Sequence, residues 1–325
     1  MTTLTATPQV VTPIPSLSSS PTPSPDPSRL PTPNGIRPTV NRQSPSPSPT
    51  PTAGTASPLA LPKTDQYYIR GSLPNTILAV SVISAILGAI AATGLTSAAQ
   101  PLSQYIAGSW ARPQLGIYIA AVAIFHLLEF FTTAGWNPQK LSIDAFLLNN
   151  GKQYHYAHAL GLTEYFLVSI FHPQRFGSRL AATPWLILGK QHPTQKLRMA
   201  QLTAGESVTI IMVGSQIIRS LAMIQAAQSF SHIVKNKKHD DHTLVTHGIY
   251  SWSRHPAYTG FFYWAVATQL LLGNVFSTIG FIVVLSKFFS NRIVDEEVWL
   301  VKFFGDDYVR YRTRVGTKLP FYFSA

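Results

Sequence analysis

No charged residue occurs between Gly71 and Ala111, and within that stretch Thr76 to Ala98 is a continuous apolar run. A helix needs about 20 such residues to cross the ~30 Å hydrocarbon core of a bilayer, so this chain is expected to be built in a membrane. Leu115 to Ala134 and Ser207 to Ala227 repeat the pattern, Ala157 to Phe171 is shorter, and Leu180 to Leu188 is interrupted by Pro184. Tyr258 to Leu272 and Val275 to Phe289 are also short and meet at Gly273-Asn274, a pair suited to a tight turn. The pattern predicts an all-α integral membrane protein of about six transmembrane helices, the last two forming a C-terminal helical hairpin.

Composition supports that class. Hydrophobic residues make up 46% of the chain and charged residues only 12%, which does not suit an ordinary soluble fold. The net charge of +12 falls mostly in short loops between apolar segments, where positive charge marks the cytosolic side and attracts anionic lipid. A basic stripe on a soluble module is lacking, so the bilayer is the expected partner and nucleic acid is not. The absence of cysteine excludes disulfides, a thiol nucleophile and Cys-ligated zinc; no metal is expected.

Three regions follow. Residues 1–62 are Pro, Ser and Thr with only Asp26, Arg29, Arg37 and Arg42 charged, a composition that cannot offset chain entropy by burial, so a disordered tail is expected. Residues 63–230 form the membrane helical region. Residues 231–325 hold most of the chemistry: a polar run from Ser231 to Tyr258, the hairpin, and a second polar cluster from Asn291 to Val315. A hairpin returns both clusters to one membrane face, within reach of each other. Ionisable residues inside the upstream spans, His126, Glu129, Glu164 and Arg219, are costly in lipid and should face the bundle interior.

The second half carries the strings HTLVTHGIYSWSRHPAYTGFFYW (from His242) and FFSNRIVDEEVWLVKFFGDDYVRYRTRVGTKLPF (from Phe288). Together they closely resemble the isoprenylcysteine carboxyl methyltransferases. The resemblance covers Ser231 to Phe321 and extends upstream to FHLLEFFTTAGWNPQKLSIDAFLLNN (from Phe125) and to the helix carrying Arg219. It implies an endoplasmic reticulum membrane enzyme with cytosolic catalytic segments, which moves a methyl group from S-adenosylmethionine to the carboxylate of a C-terminal prenylated cysteine on CaaX-processed client proteins. The implied cofactor positions are Lys235, His242, Thr243, Leu244, Val245, Tyr250, His255, Pro256, Ala257, Tyr258 and Glu296. Arg292 would hold the substrate, and Arg292 with Glu296 would form the catalytic pair. Lys235 departs from the family's common glutamine, which changes the hydrogen bonding available there.

Residue chemistry is compatible with that reaction. A carboxylate is already ionised at neutral pH, so its methylation calls for positioning rather than a base. An arginine can grip it with two parallel hydrogen bonds, and Glu296 lies one helical turn beyond Arg292. Tyr250 and Tyr258 could stack on a base or face a cation. No G-x-G-x-x-G opens a βαβ unit, so a Rossmann cofactor domain is not expected. Three rival readings stand beside this one. A sterol or steroid reductase using NADPH also carries an Arg-His-rich C-terminal segment, a phospholipid N-methyltransferase would share the cofactor, and a membrane scaffold would bind neither.

Overall fold

The computed structural model describes residues 74–99, 110–172, 195–235, 237–238 and 242–320. The Pro-rich tail and the Leu180 to Leu188 segment lie outside them. Seven α-helices are present among the described residues: α1 (Ile77–Ala99), α2 (Pro113–Trp136), α3 (Lys152–Phe171), α4 (Gln195–Ala226), α5 (Pro256–Leu272), α6 (Phe276–Phe304) and α7 (Asp306–Arg314). The protein is an all-α integral membrane protein. Four of these segments, Ile77–Ala99, Pro113–Trp136, Ser207–Ser229 and Phe276–Phe304, are long and apolar enough to cross a bilayer; α3 and α5 have 20 and 17 residues. Helix α1 buries little beyond Leu87, Ala91 and Gly94 and leaves Leu78, Ile86 and Leu95 exposed, a surface that lipid rather than water can cover.

Buried polar side chains lock the bundle. Glu129 on α2 receives two hydrogen bonds from Arg219 on α4, Nε to Oε1 and Nη2 to Oε2, the second at 2.9 Å. His126, one turn earlier, has Nδ1 2.7 Å from the Phe146 carbonyl and Nε2 3.1 Å from the Tyr154 hydroxyl. The i, i+3 pair on α2 therefore faces the interior, and each member finds its partner on another part of the chain. Glu164 on α3 accepts the backbone N–H groups of Val275, Phe276 and Ser277 at 2.6–2.9 Å. Those donors would otherwise be unpaired at the start of α6, and the positive helix end favours a carboxylate.

The hairpin between α5 and α6 turns at Gly273, which caps α5 with φ +72°, a left-handed conformation that glycine adopts without penalty. Its second arm is longer than expected. Apolarity ends at Phe289, but α6 continues without a break to Phe304, 29 residues in all and about 43 Å at 1.5 Å per residue. Arg, Asp and Glu are compatible with a helix, so loss of hydropathy marks the end of the apolar zone and not of the helix. The second polar cluster thus rides on a rigid extension of a membrane helix.

Helices α4 and α5 make the closest contact near the site. A Cβ on Gly260 would lie 2.7 Å from the Ser215 carbonyl oxygen and 2.8 Å from the Arg219 nitrogen. Gly260→Val is expected to push the two backbones apart and cost about 1–3 kcal/mol, as overpacking does. Thermal unfolding in detergent checks this; a midpoint equal to the parent's would contradict it.

Candidate active site

The first polar run is folded by local and long-range ties. After α4, residues 228–230 are held by the segment that follows α2: Lys140 donates to the carbonyls of Gln228 and, at 2.7 Å, Phe230, and Asn137 donates to Phe230 at 3.2 Å. The turn Gly248–Ser251 is pinned by Gln225, whose Oε1 accepts the Ile249 N–H at 2.8 Å. Tyr250 on that turn donates to the Ala222 carbonyl at 3.2 Å, and its own carbonyl accepts the Tyr311 hydroxyl at 2.6 Å. Burial pushes the Tyr250 phenol above its usual pKa, helped by the negative charge of Glu296.

The Arg-His-Pro segment is strapped by the chain end. Arg254 N–H donates to the Gly316 carbonyl at 3.1 Å, Ser253 and Thr259 hydroxyls donate to the Thr317 carbonyl at 2.7 and 2.8 Å, and Tyr263 reaches the Lys318 carbonyl at 3.2 Å. Pro256 occupies the first turn of α5, where its missing N–H costs nothing. Arg219 donates through Nη1 to the Ala257 carbonyl at 3.1 Å, so the α2–α4 ion pair also holds the start of α5.

These elements line an open cleft. Its walls include His242, Thr243, Leu244, Val245, Tyr250, His255, Pro256, Ala257, Tyr258 and Glu296, which gathers every expected cofactor position except Lys235. The lining also takes Ala226, Ser229 and Phe230 from the end of α4 and Tyr308 and Tyr311 from α7, residues that sequence reasoning did not assign. Lys235 stands outside the lining; its Nζ is buried without a hydrogen-bond partner among the described residues.

Arg292 also stands outside the lining, behind Tyr258. Its Nε donates to the Tyr258 hydroxyl at 2.8 Å, its Nη2 to the His232 carbonyl at 2.5 Å, and its guanidinium carbon lies 5.4 Å from the Tyr258 ring centre. Tyr258 in turn donates to Glu296 Oε2 at 2.6 Å. The expected pairing of Arg292 with Glu296 is thus relayed by a phenol rather than made directly. His232, whose carbonyl is used here, has its imidazole pKa pressed well below the usual value by burial and by Arg219, Arg292 and Lys140, which keeps another positive charge out of a crowded cationic region.

Glu297 was not singled out by sequence. Its Oε1 accepts Arg254 Nε at 2.5 Å and lies 3.1 Å from His255 Nε2, while Oε2 is 3.6 Å from Arg312 Nη1. Arg254 is therefore engaged by a carboxylate of the chain itself. A signal existed: Phe289, Ile293 and Glu297 are spaced by four residues and all buried, so a carboxylate falls on the packed stripe of an amphipathic helix.

The sequence matches proteins of known class. Residues 208–302 match the model of the isoprenylcysteine carboxyl methyltransferase (ICMT) family. The chain is 43% identical over 207 residues to the protein-S-isoprenylcysteine O-methyltransferase of Saccharomyces cerevisiae, covering 63% of this chain and 79% of that one. This chain belongs to the isoprenylcysteine carboxyl methyltransferase family. The Schizosaccharomyces pombe enzyme of that name is 45% identical (63% and 83% covered) and the Homo sapiens enzyme 36% identical (68% and 69%). The solved structure of the eukaryotic intramembrane Ras methyltransferase ICMT superposes with a TM-score of 0.62 at 30% identity, covering 74% of this chain and 76% of that one. The protein is accordingly a membrane-embedded methyltransferase, with the cleft at the end of α5 and α6 as its candidate active site.

Proposed function

We propose that this chain transfers a methyl group from S-adenosylmethionine to the C-terminal carboxylate of a prenylated cysteine on CaaX-processed proteins, at the cytosolic face of the endoplasmic reticulum membrane. The observation that carries the reading is the cleft itself, in which the residues expected to hold the cofactor, apart from Lys235, meet beside Tyr258 and Arg292. The residues present fit such a donor. Leu244, Val245, Leu300 and Phe304 supply apolar walls, and Glu296 supplies a carboxylate on the lining. When bound, S-adenosylmethionine supplies a methyl group activated by its sulfonium.

The chain's own residues have three tasks. Arg292 orients the substrate carboxylate: with Nε and Nη2 committed to Tyr258 and His232, the plane of the guanidinium is set, and Nη1 has no acceptor among the described residues. Tyr258 separates the two ligands and ties the substrate arginine to Glu296 on the cofactor side. The third task is to keep water out, because the reaction joins a cation to an anion and water stabilises the separated charges. No residue needs to take a proton, since the carboxylate enters ionised. The prenyl chain, at about 0.8 kcal/mol per buried CH₂, supplies the affinity that keeps the substrate at the membrane. Family membership favours this reading over the NADPH-dependent reductase.

Purified protein in detergent should transfer labelled methyl from S-adenosylmethionine to N-acetyl-farnesylcysteine. Tyr250→Ala should weaken donor binding by about 1–3 kcal/mol, the range for loss of an aromatic stacking partner. Folded protein that binds the donor yet leaves the prenylcysteine unmethylated would refute the proposed substrate.

A further inference from the structure

We infer that Glu297 holds His255 as the Nε2–H tautomer, so that the Nδ1 lone pair of His255 and the carboxylate of Glu296 form a two-acceptor seat for a primary ammonium on the methyl donor. The inference rests on the reading of the cleft as the donor site and adds how one end of the donor is recognised.

The ring of His255 cannot turn freely. It is 5% exposed and lies parallel to the Tyr258 ring, 5.6 Å between centroids at an interplanar angle of 6°. One ring nitrogen faces away from the cleft: Nε2 is 3.1 Å from Glu297 Oε1, and Glu297 is not among the lining residues. The other faces toward it: Nδ1 is 3.9 Å from Oε2 of Glu296, which does line the cleft.

Which nitrogen carries the proton follows from Glu297. Its carboxylate sits between two guanidinium groups, Arg254 at 2.5 Å and Arg312 at 3.6 Å, and an ionised carboxylate can only accept hydrogen bonds. A lone pair on Nε2 would face a lone pair on Oε1, so Nε2 carries the hydrogen, and in the neutral ring Nδ1 is left as an acceptor. The Nδ1–Glu296 distance of 3.9 Å is too long for a hydrogen bond, as expected for two acceptors side by side. In the opposite tautomer Nδ1–H would point at Glu296 and occupy the seat.

Two acceptors with this spacing, one anionic and one neutral, match a group with several N–H donors. A primary ammonium has three; a sulfonium has none. Glu296 keeps acceptor capacity after taking the Tyr258 hydroxyl at 2.6 Å. Glu297 touches no ligand and is a positioning residue, acting through the ring of His255.

Two ligands isolate the seat: S-adenosylhomocysteine, which has the ammonium, and 5′-methylthioadenosine, which lacks it. Calorimetric titration of the full chain in detergent should show His255→Asn, whose amide oxygen can replace Nδ1, binding S-adenosylhomocysteine within about threefold of the parent. His255→Gln, whose amide reaches the Nε2 position and leaves Nδ1 empty, should lose about tenfold or more. Methylthioadenosine should show no such difference between the two variants. Imidazole nitrogen shifts of ¹⁵N-histidine-labelled parent protein should report His255 with hydrogen on Nε2, and Glu297→Gln should move that resonance pair. Equal losses in the two His255 variants, equal weakening of both ligands, or an Nδ1–H ring in the parent would overturn the seat. The nitrogen shifts require no variant to fold. Parent protein that binds neither ligand would instead overturn the donor site itself.

Discussion

Replacing Arg292 by lysine is expected to lower kcat/KM for a prenylcysteine substrate by about 10²–10³-fold while leaving donor affinity near that of the parent. The size is that seen when a preorganised donor aimed at the reacting group is removed. The geometry makes lysine a poor substitute. Arg292 uses Nε for the Tyr258 hydroxyl and Nη2 for the His232 carbonyl, and still presents Nη1. An ammonium on a flexible stem cannot hold two fixed partners and offer a planar edge to a carboxylate as well. Donor affinity should persist because Arg292 does not line the cleft. Turnover and donor titration on the same preparation separate the alternatives. Near-parent turnover would reduce Arg292 to a structural clamp on the 228–235 segment, and lost donor binding would assign it to the other ligand.

The largest effect on stability is expected at Glu129. Glu129→Ala leaves the guanidinium of Arg219, 6% exposed, buried between the rings of Phe125 and Phe261, each centred 5.3 Å away, without its carboxylate. Breaking one partner of such a pair costs about 3–5 kcal/mol, whereas replacing both by apolar residues is often neutral. Glu129→Leu combined with Arg219→Met should therefore recover most of the stability lost by Glu129→Ala, as read from unfolding in detergent. The double variant still lacks the hydrogen bond from Arg219 to the Ala257 carbonyl, 3.1 Å in the parent. It should fold yet bind the donor more weakly, because that carbonyl belongs to a wall of the cleft. A double variant no more stable than Glu129→Ala would mean that packing, and not the unpaired charge, sets the cost.

Much of this protein is determined by residues close together in the chain. Uninterrupted apolarity over the length of a bilayer dictates membrane helices wherever it occurs. A Gly-Asn pair between two apolar segments specifies a turn, and the structure has α5 capped at Gly273 there. The polar runs at the two ends of that hairpin are held to one membrane face by its length, so the meeting of His242, Tyr250, His255 and Tyr258 with Glu296 around one cleft was legible as a neighbourhood.

What only the tertiary structure decided is who pairs with whom. Glu129 and Arg219 are 90 positions apart, Arg254 and Glu297 are 43 apart, and Glu164 and the Val275 N–H are 111 apart. Each of these groups carries a requirement, a buried charge or helix end that must be satisfied, which is visible locally; the partner is chosen by helix packing, which is not. The same limit explains Glu296 and Glu297. They are adjacent in sequence, but helical geometry turns them by about 100°, one toward the cleft and the other toward Arg254 and His255. Residue type is identical at the two positions, so only the packing of α6 against α5 and the C-terminal strap distinguishes the carboxylate that meets a ligand from the one that orients a histidine.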